Sequence, residues 1–305
     1  MNFNPKTWNY VSHRKQFYII SAVLQIVGLI GFLIFGFNQG VDFQSGTRLD
    51  IAIGKPFTEE EVAAELKQLN LEPGSIVTAG DNGERAAVRF TEPLNKEQIV
   101  SVKNAFTKKY GEQVDIQEST VDPIVSRELA KNATYALIWA SIGILLYIIV
   151  RFEYRFAIAG VIGLLHDAFG VIAIFSIFQI EVDLPFIAAI LTIVGYSIND
   201  TIVTFDRIRE NMKLHKVKRK ADLEYVVNLS IQETITRSIN TVLTVLMASV
   251  ALLIFGGESI RTFSLALTVG LFLGMYSSIF ISSQIWLDWK GREFTNNRVT
   301  NNEAS

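Results

Sequence analysis

The stretch LPFIAAILTIVGYSINDTIVTFDRIREN, residues 184–211, decides how the rest of the chain is read. Its first two-thirds has the composition of a lipid-buried helix, yet Ser197, Asn199, Asp200 and Thr201 interrupt the apolar run before the basic exit at Arg207 and Arg209. An ionisable residue inside a membrane span is costly, so such residues face a bundle interior or a wet path and mark function. Asp200 is therefore the leading functional candidate. Thr192, Tyr196, Asp200 and Thr204 recur at i+4, with Asn199 and Val203 adjoining, so the polar groups share one helix face. The other face, with Ile190, Ile193, Val194 and Ile198, suits lipid or packing. Asp200 lies about five residues, or roughly 7–8 Å at 1.5 Å per residue, inward of the span centre.

Working outward, the 305 residues are 50% hydrophobic with a formal charge of −2 and no cysteine, and the average hides a split between apolar blocks and one long polar block. Six stretches have the roughly 20 apolar residues needed to cross a hydrocarbon core of about 30 Å. They lie at 17–37, 133–150, 156–178, 184–206, 234–255 and 261–287. The first follows His13, Arg14 and Lys15 as a signal peptide would, but its apolar run is longer than a signal core and no small-residue cleavage pattern closes it. An uncleaved span is expected. The absence of cysteine removes disulfides and thiol chemistry.

Basic residues orient the spans, because short cytoplasmic loops retain Lys and Arg. Lys6, Arg14 and Lys15 precede span one, Arg151 and Arg155 follow span two, and Arg207, Arg209, Lys213, Lys216, Lys218, Arg219 and Lys220 follow span four. The short loops QIEVD at 179–183 and GGES at 256–259 carry neither Lys nor Arg. The map that follows has a cytoplasmic N-terminus at 1–16, a first span at 17–37, an extracytoplasmic domain at 38–131, a five-span bundle at 133–287 with a basic cytoplasmic loop at 207–233, and a cytoplasmic tail at 288–305.

The polar block reads as strand (VDFQSGTRLDIAIG, 41–54), helix (TEEEVAAELKQLN), two strands (SIVTAG and RAAVRFT) around an Asp81-Asn82-Gly83 turn, helix (NKEQIVSVKNAFTKKYG) and strand (QVDIQEST). That order, βαββαβ, is the ferredoxin-like α+β pattern. Thr58 with Glu61 makes a capping box, and Gly111 stops the second helix. One sheet face is left free to bind. The block has no histidine and no Ser/His/Asp grouping, so no enzymatic role is expected.

Other spans also carry polar groups. Span five holds Thr234, Arg237, Ser238, Thr241 and Thr244, and Arg237 sits at a depth where it could meet Asp200 or, alternatively, snorkel to the interface. Span three holds His166 and Asp167, with Gly163 and Gly170 on the same face. Histidine titrates near neutral pH, so this pair reads either as a proton relay or as a packing hydrogen bond. In span six, Gly270, Gly274, Ser278 and Ser282 recur every four residues as a helix-packing ridge. Asp206, Arg207, Arg209 and Glu210 are expected to fix the inner end of span four, and the basic run at 213–220 to meet anionic lipid. No P-loop, Rossmann glycine run or metal-ligand cluster occurs, so no cofactor, metal or nucleic acid is expected. Work would come from an ion gradient, about 2.3 kcal/mol per charge crossing 100 mV.

The strings VGYSINDTIVTFDRIREN, SINTVLT and FSLALTVGLFLGMYSS resemble the SecF family of the bacterial Sec protein-export machinery, and the layout agrees along nearly the full length. The resemblance implies a half bundle related to the RND transporter superfamily, paired with SecD across a pseudo-symmetric junction. It implies use of the proton-motive force to drive polypeptides across the cytoplasmic membrane after SecA and the SecYEG channel begin transfer, with YajC and YidC as further neighbours. It also implies that Asp200 and Arg237 are the family's intramembrane acid and arginine, facing that junction. The family pattern has a Gly-Gly pair after VDF, where this chain has Ser45 first, and glycines where this chain has Asp122 and Ser126. Two other readings remain: a scaffold stabilising SecD and the channel, and a small-molecule efflux half-transporter. The second asks for a larger outer domain than about 95 residues provides.

Overall fold

Long apolar runs satisfy their own backbone hydrogen bonds as helices, the form a segment needs to cross hydrocarbon. The structure is a computed structural model that describes residues 8–79, 84–111 and 113–303, the side chains of Ala79, Glu258 and residues 295–303 excepted. The helices are α1 (Arg14–Phe35), α2 (Val41–Gln44), α3 (Glu59–Gln68), α4 (Lys96–Tyr110), α5 (Pro123–Arg151), α6 (Tyr154–Ile177), α7 (Leu184–Leu214), α8 (Lys220–Phe255), α9 (Glu258–Ser277) and α10 (Ser283–Glu303), with a π-helical turn at Ser278–Ser282 joining the last two. The strands are β1 (Asn38–Gln39), β2 (Gly46–Ala52), β3 (Ser75–Ala79), β4 (Arg85–Phe90), β5 (Asp115–Val121) and β6 (Glu181–Val182). Among the described residues six helical stretches are long and apolar enough to cross a membrane: α1, α5, α6, α7, α8 and the Ser259–Phe294 run through α9 and α10.

The chain divides into two units. One comprises residues 1–38, 137–180 and 185–305, and the other residues 39–136 and 181–184.

In the helical unit, the helix ends that carry the basic residues are tied to one another. Arg14 pairs with Glu224 at 3.1 Å and with Asp288 at 3.1 Å, Arg151 with Asp206 at 3.3 Å, Lys290 with Glu153 at 3.7 Å, and Arg155 with Glu293. An aromatic core lies at this end, where Phe156 stacks on Trp286 at 4.3 Å and Phe205 packs on Phe156 at 4.7 Å. The segment 207–233, expected as a loop, is helical apart from residues 215–219. Side chains hold these helical extensions together: Glu233 accepts from Arg207 and Asn211, each at 2.7 Å, and Asn211 donates to Ser230 at 3.0 Å. Asp222 then caps α8, accepting from the backbone of Arg219 at 3.0 Å. A charged composition that reads as loop is thus the polar face of two paired helices.

In the other unit the sheet order is β3-β4-β2-β5, all neighbours antiparallel. Leu49, Ile51, Val88 and Phe90 point from one face onto Val62 and Leu66 of α3 and Val102 and Phe106 of α4, all buried. Both helices begin with a capping box, Thr58 with Glu61 as the sequence indicates and Asn95 with Gln98 as well. Gly111 ends α4 at φ 106. The Asp81-Asn82-Gly83 turn lies outside the described residues. Two expectations need correction. The strand read over 41–54 begins only at Gly46, because Val41–Gln44 form a helical turn whose Asp42 carboxylate accepts from Leu184 N at 2.9 Å. The sheet face away from the helices is also not wholly free: Glu181 of the span three–four loop bonds Arg48 at 2.9 Å and Arg89 at 3.2 Å there.

At the two departures from the family pattern, the backbone gives different answers. Ser45 sits at φ 64, ψ 173, a region that side chains avoid and glycine favours. Gly46 follows at φ 112, where a Cβ would meet the Phe90 carbonyl at 2.1 Å. Asp122 needs no glycine geometry: it caps α5, accepting from Ile124 N at 2.9 Å, with Pro123 at the first helical position.

Candidate functional site

Four helices of the helical unit, α6, α7, α8 and α9, build the site. On α6 small residues clear its approach to the α9 segment: a Cβ on Gly170 would meet Leu273 at 2.7 Å, and one on Gly163 would meet the Ser282 hydroxyl at 2.1 Å. Between these glycines stands Asp167, fully buried. Its Oδ1 bonds His166 Nδ1 at 3.0 Å, and its Oδ2 accepts from Ser197 of α7 at 2.5 Å and from Ser277 of α9 at 2.7 Å. One carboxyl therefore joins three helices. His166 is set by its surroundings as well: Tyr276 stacks on it at 5.9 Å, and Gln25 of α1 donates to its carbonyl at 3.1 Å. Its Nε2 is buried without a partner.

The polar ladder continues toward the basic helix ends. Thr201 and Ser278 hydroxyls bond each other at 2.9 Å, and Ser278 also donates to the Gly274 carbonyl at 2.8 Å. Here α9 loosens into the π-helical turn Ser278–Ser282, a form frequent at functional positions. The ridge expected to serve packing does so at its first two members, where Cβ atoms on Gly270 and Gly274 would meet Ile193 at 2.2 Å and Ser197 at 3.1 Å. Its third member, Ser278, belongs to the polar ladder too.

Asp200 lies on the other side of α7. Its Oδ1 accepts from Ser238 of α8 at 2.5 Å, and its Oδ2 is buried with no partner. Asp200, Asn199, Tyr196, Ser197, Thr241, Gly270 and Gly274 contribute to the lining of a cavity of about 10 Å³, room for about one water molecule. Ser197 thus lines the Asp200 cavity and also donates to Asp167. Ile190 and Ile198 are buried in packing rather than turned to lipid, and Ile193, expected on the apolar face, lines the same cavity as Asp200 because seven residues return the helix to nearly the same direction.

The expected contact between Asp200 and Arg237 is not formed; among the described residues Arg237 makes no ion pair. Successive helical residues differ by about 100° in direction, so when Ser238 faces α7 its predecessor faces elsewhere. Arg237 is exposed, as are Asn199, Asn240 and Thr244. The structure therefore joins His166 and Asp167 to Ser197, sets Asp200 in a cavity that the same serine lines, and leaves Arg237 exposed and unpaired with Asp200 though close enough for its charge to act on that carboxyl. Sequence reasoning did not assign Ser197, Ser277 or Ser238 as carboxyl donors, since a serine in a span reads equally as a small packing residue. Among the described residues no three His, Asp or Glu side chains are grouped to hold a metal ion.

Comparison with known proteins gives this arrangement its family. A family model for the C-terminal part of the protein export membrane proteins SecD/SecF matches residues 101–292, which include every residue of the two carboxyl sites. The chain belongs to the SecD/SecF family. A second model, for the SecD/SecF GG motif, matches residues 30–56, where Ser45 and Gly46 hold their positive φ angles. Protein translocase subunit SecF of Alicyclobacillus acidocaldarius is 46% identical over 281 residues, covering 91% of each chain. Protein translocase subunit SecDF of Bacillus subtilis is 51% identical over 296 residues, 96% of this chain but 40% of that protein. The crystal structure of SecDF from Thermus thermophilus superposes with a TM-score of 0.83 at 33% identity, over 93% of this chain and 38% of that one. The chain thus spans about two-fifths of the fused SecDF proteins and nine-tenths of the separate SecF relative.

Proposed function

We propose that this chain is a SecF-type subunit of the Sec protein-export apparatus, one that couples proton movement to the export of polypeptides and catalyses no covalent reaction. The observation that carries the coupling is Asp200: a membrane carboxyl with one hydrogen bond, one buried free oxygen and a neighbouring cavity of one-water size. A proton arriving through the cavity binds the free Oδ2. Ser197 lines the cavity while its hydroxyl donates to Asp167, so the Asp200 site abuts the Asp167 cluster. Each proton gained or lost at Asp200 changes the charge that Ser238 and the nearby Arg237 experience, and so biases how α8 lies on α7.

The exposed polar face with Asn199, Arg237, Asn240 and Thr244 supports pairing with a SecD half, since such groups are costly against lipid. The fused SecDF relative supports the same pairing. SecYEG, SecA and the translocating polypeptide are partners on the strength of the family. The helix ends that gather Arg14, Arg151 and Arg155 take the cytoplasmic side by the retention of basic residues there. This orientation puts both termini inside and the sheet-bearing unit outside in the cytoplasmic membrane. The strand order and the two helices on one face support a ferredoxin-like reading of that unit.

The test is Asp200→Asn in the complete membrane complex. Gradient-dependent export should fall to its gradient-independent level with complex abundance unchanged. Export that still responds fully to the gradient would remove the coupling role of Asp200, and a loss that only tracks complex abundance would favour a scaffold.

A further inference from the structure

We propose that the cleft between the start of α1 and the first half of α10 is a phospholipid site, in which Arg292 and Trp289 hold the headgroup phosphate and the outer face of α1 receives an acyl chain. Lipid binding here goes beyond the coupling role and does not depend on it.

Tyr18, Ile285, Asp288, Trp289 and Arg292 line a cleft of about 310 Å³, at the lower end of the roughly 300–1,000 Å³ of small-ligand sites. Ile285, Trp289 and Arg292 follow one another at +4 and +7 on one face of α10. At 1.5 Å per residue the lining therefore passes from apolar through amphipathic to charged in about 10 Å. Asp288 offers no free oxygen: Oδ1 pairs with Arg14 at 3.1 Å and Oδ2 accepts from the Tyr18 hydroxyl at 3.2 Å. Lys290 in the same turn is taken by Glu293 at 3.0 Å and Glu153 at 3.7 Å. Arg292 is left over. It is exposed, and among the described residues it makes no ion pair and no hydrogen bond. Trp289 sets its ring edge-on to Tyr154 at 5.9 Å, and among the described residues its indole N–H has no acceptor. Two donors without protein acceptors thus share one cleft with a carboxylate whose oxygens are already occupied. Phosphate oxygens are acceptors that suit both, the guanidinium above all.

The surroundings select a lipid as the source of that phosphate. Tyr18 lies four residues, about 6 Å, along α1 from Arg14, so the cleft sits just inside the belt of ion pairs at the helix ends. Tyr and Trp favour this depth, where one side of the ring meets hydrocarbon and the other meets headgroups. Beyond Tyr18 on the same side of α1 come Ile26, Leu29 and Leu33, at +8, +11 and +15, all exposed. An acyl chain running up that face would cover them while its phosphate stays at Arg292. Basic pockets between the ends of spans hold lipid headgroups in this way. A soluble phosphate compound would satisfy the two donors and leave the apolar track bare. An arginine that only snorkels to the interface needs no concave floor of Tyr18, Trp289 and Ile285.

The test is native mass spectrometry of the complete complex in neutral detergent, titrated with phosphatidylglycerol. The wild-type complex should retain one tightly held lipid. Arg292→Ala should weaken that lipid at least tenfold and Trp289→Phe several-fold, whereas Arg292→Lys, which keeps the charge, should lose less than Arg292→Ala. Because Arg292 is exposed and unpaired, the lipid-free melting temperature and complex abundance of Arg292→Ala should match the wild type. Added phosphatidylglycerol should then raise the melting temperature of the wild type more than that of the variant. Millimolar inorganic phosphate should not displace the lipid. Equal lipid retention by the wild type and folded Arg292→Ala overturns the site. So does a wild-type complex that holds no tight lipid, as it would if another subunit covered the cleft. Displacement by inorganic phosphate overturns the lipid as occupant.

Discussion

Two carboxyls sit within the helical unit and differ in almost everything except their chemistry. Asp167 is fully buried and bonds three side chains, two on other helices and one on its own, whereas Asp200 bonds one and keeps an oxygen free beside a small cavity. A buried carboxyl with three hydrogen-bond partners is a structural joint, because removing it strands each partner. An acceptor with one donor and an open oxygen is poised to change partners. Stability therefore concentrates at Asp167, and responsiveness at Asp200.

This contrast can be broken by measuring unfolding of single variants in mixed micelles. The largest effect expected is for Asp167→Ala, a loss of about 3 kcal/mol from stranding the hydroxyls of Ser197 and Ser277 and the ring of His166. Next is Gly270→Ala, whose new methyl would meet Ile193 and push α9 from α7, at a cost of about 2 kcal/mol. Asp200→Ala should cost only about 1 kcal/mol, since Ser238 can turn its hydroxyl to a carbonyl of its own helix. Equal losses for the two aspartates would show that donor number does not distinguish them. The smallest effect sharpens the contrast from outside it. Ser45→Gly should stabilise the sheet-bearing unit by about 1 kcal/mol by relieving a glycine-type backbone angle. Combined with either aspartate variant, its gain should add to the other effect rather than merge with it. A synergy would mean that the two units sense one another.

Part of the site was legible in the sequence for a physical reason. A carboxyl in an apolar run is anomalous wherever it is placed, so Asp200 and Asp167 stood out by composition alone. The partner of Asp200 did not. Charge complementarity favours Arg237, but a helix turns about 100° per residue, and Ser238 is the residue that the rotation of α8 presents to α7. The serines at 197 and 277 were equally hidden, since nothing local separates a hydroxyl that packs from one that serves a carboxyl. Likewise, the segment 207–233 read as a loop because its charges are the outer faces of two helices pinned by Glu233.

The sequence by itself determined the six apolar helices, the strand and helix order between the first two, the capping box at Thr58 and the presence of acids where acids are expensive. These depend on hydrophobic run length, periodicity and local hydrogen bonding, which a chain carries along its own length. Only the tertiary structure decided which hydroxyl meets which carboxyl, that Gly163 lets Ser282 approach α6 closely, and that Glu181 covers part of a sheet face. Those outcomes depend on the rotation and close approach of elements far apart in sequence, and no short stretch of residues encodes them.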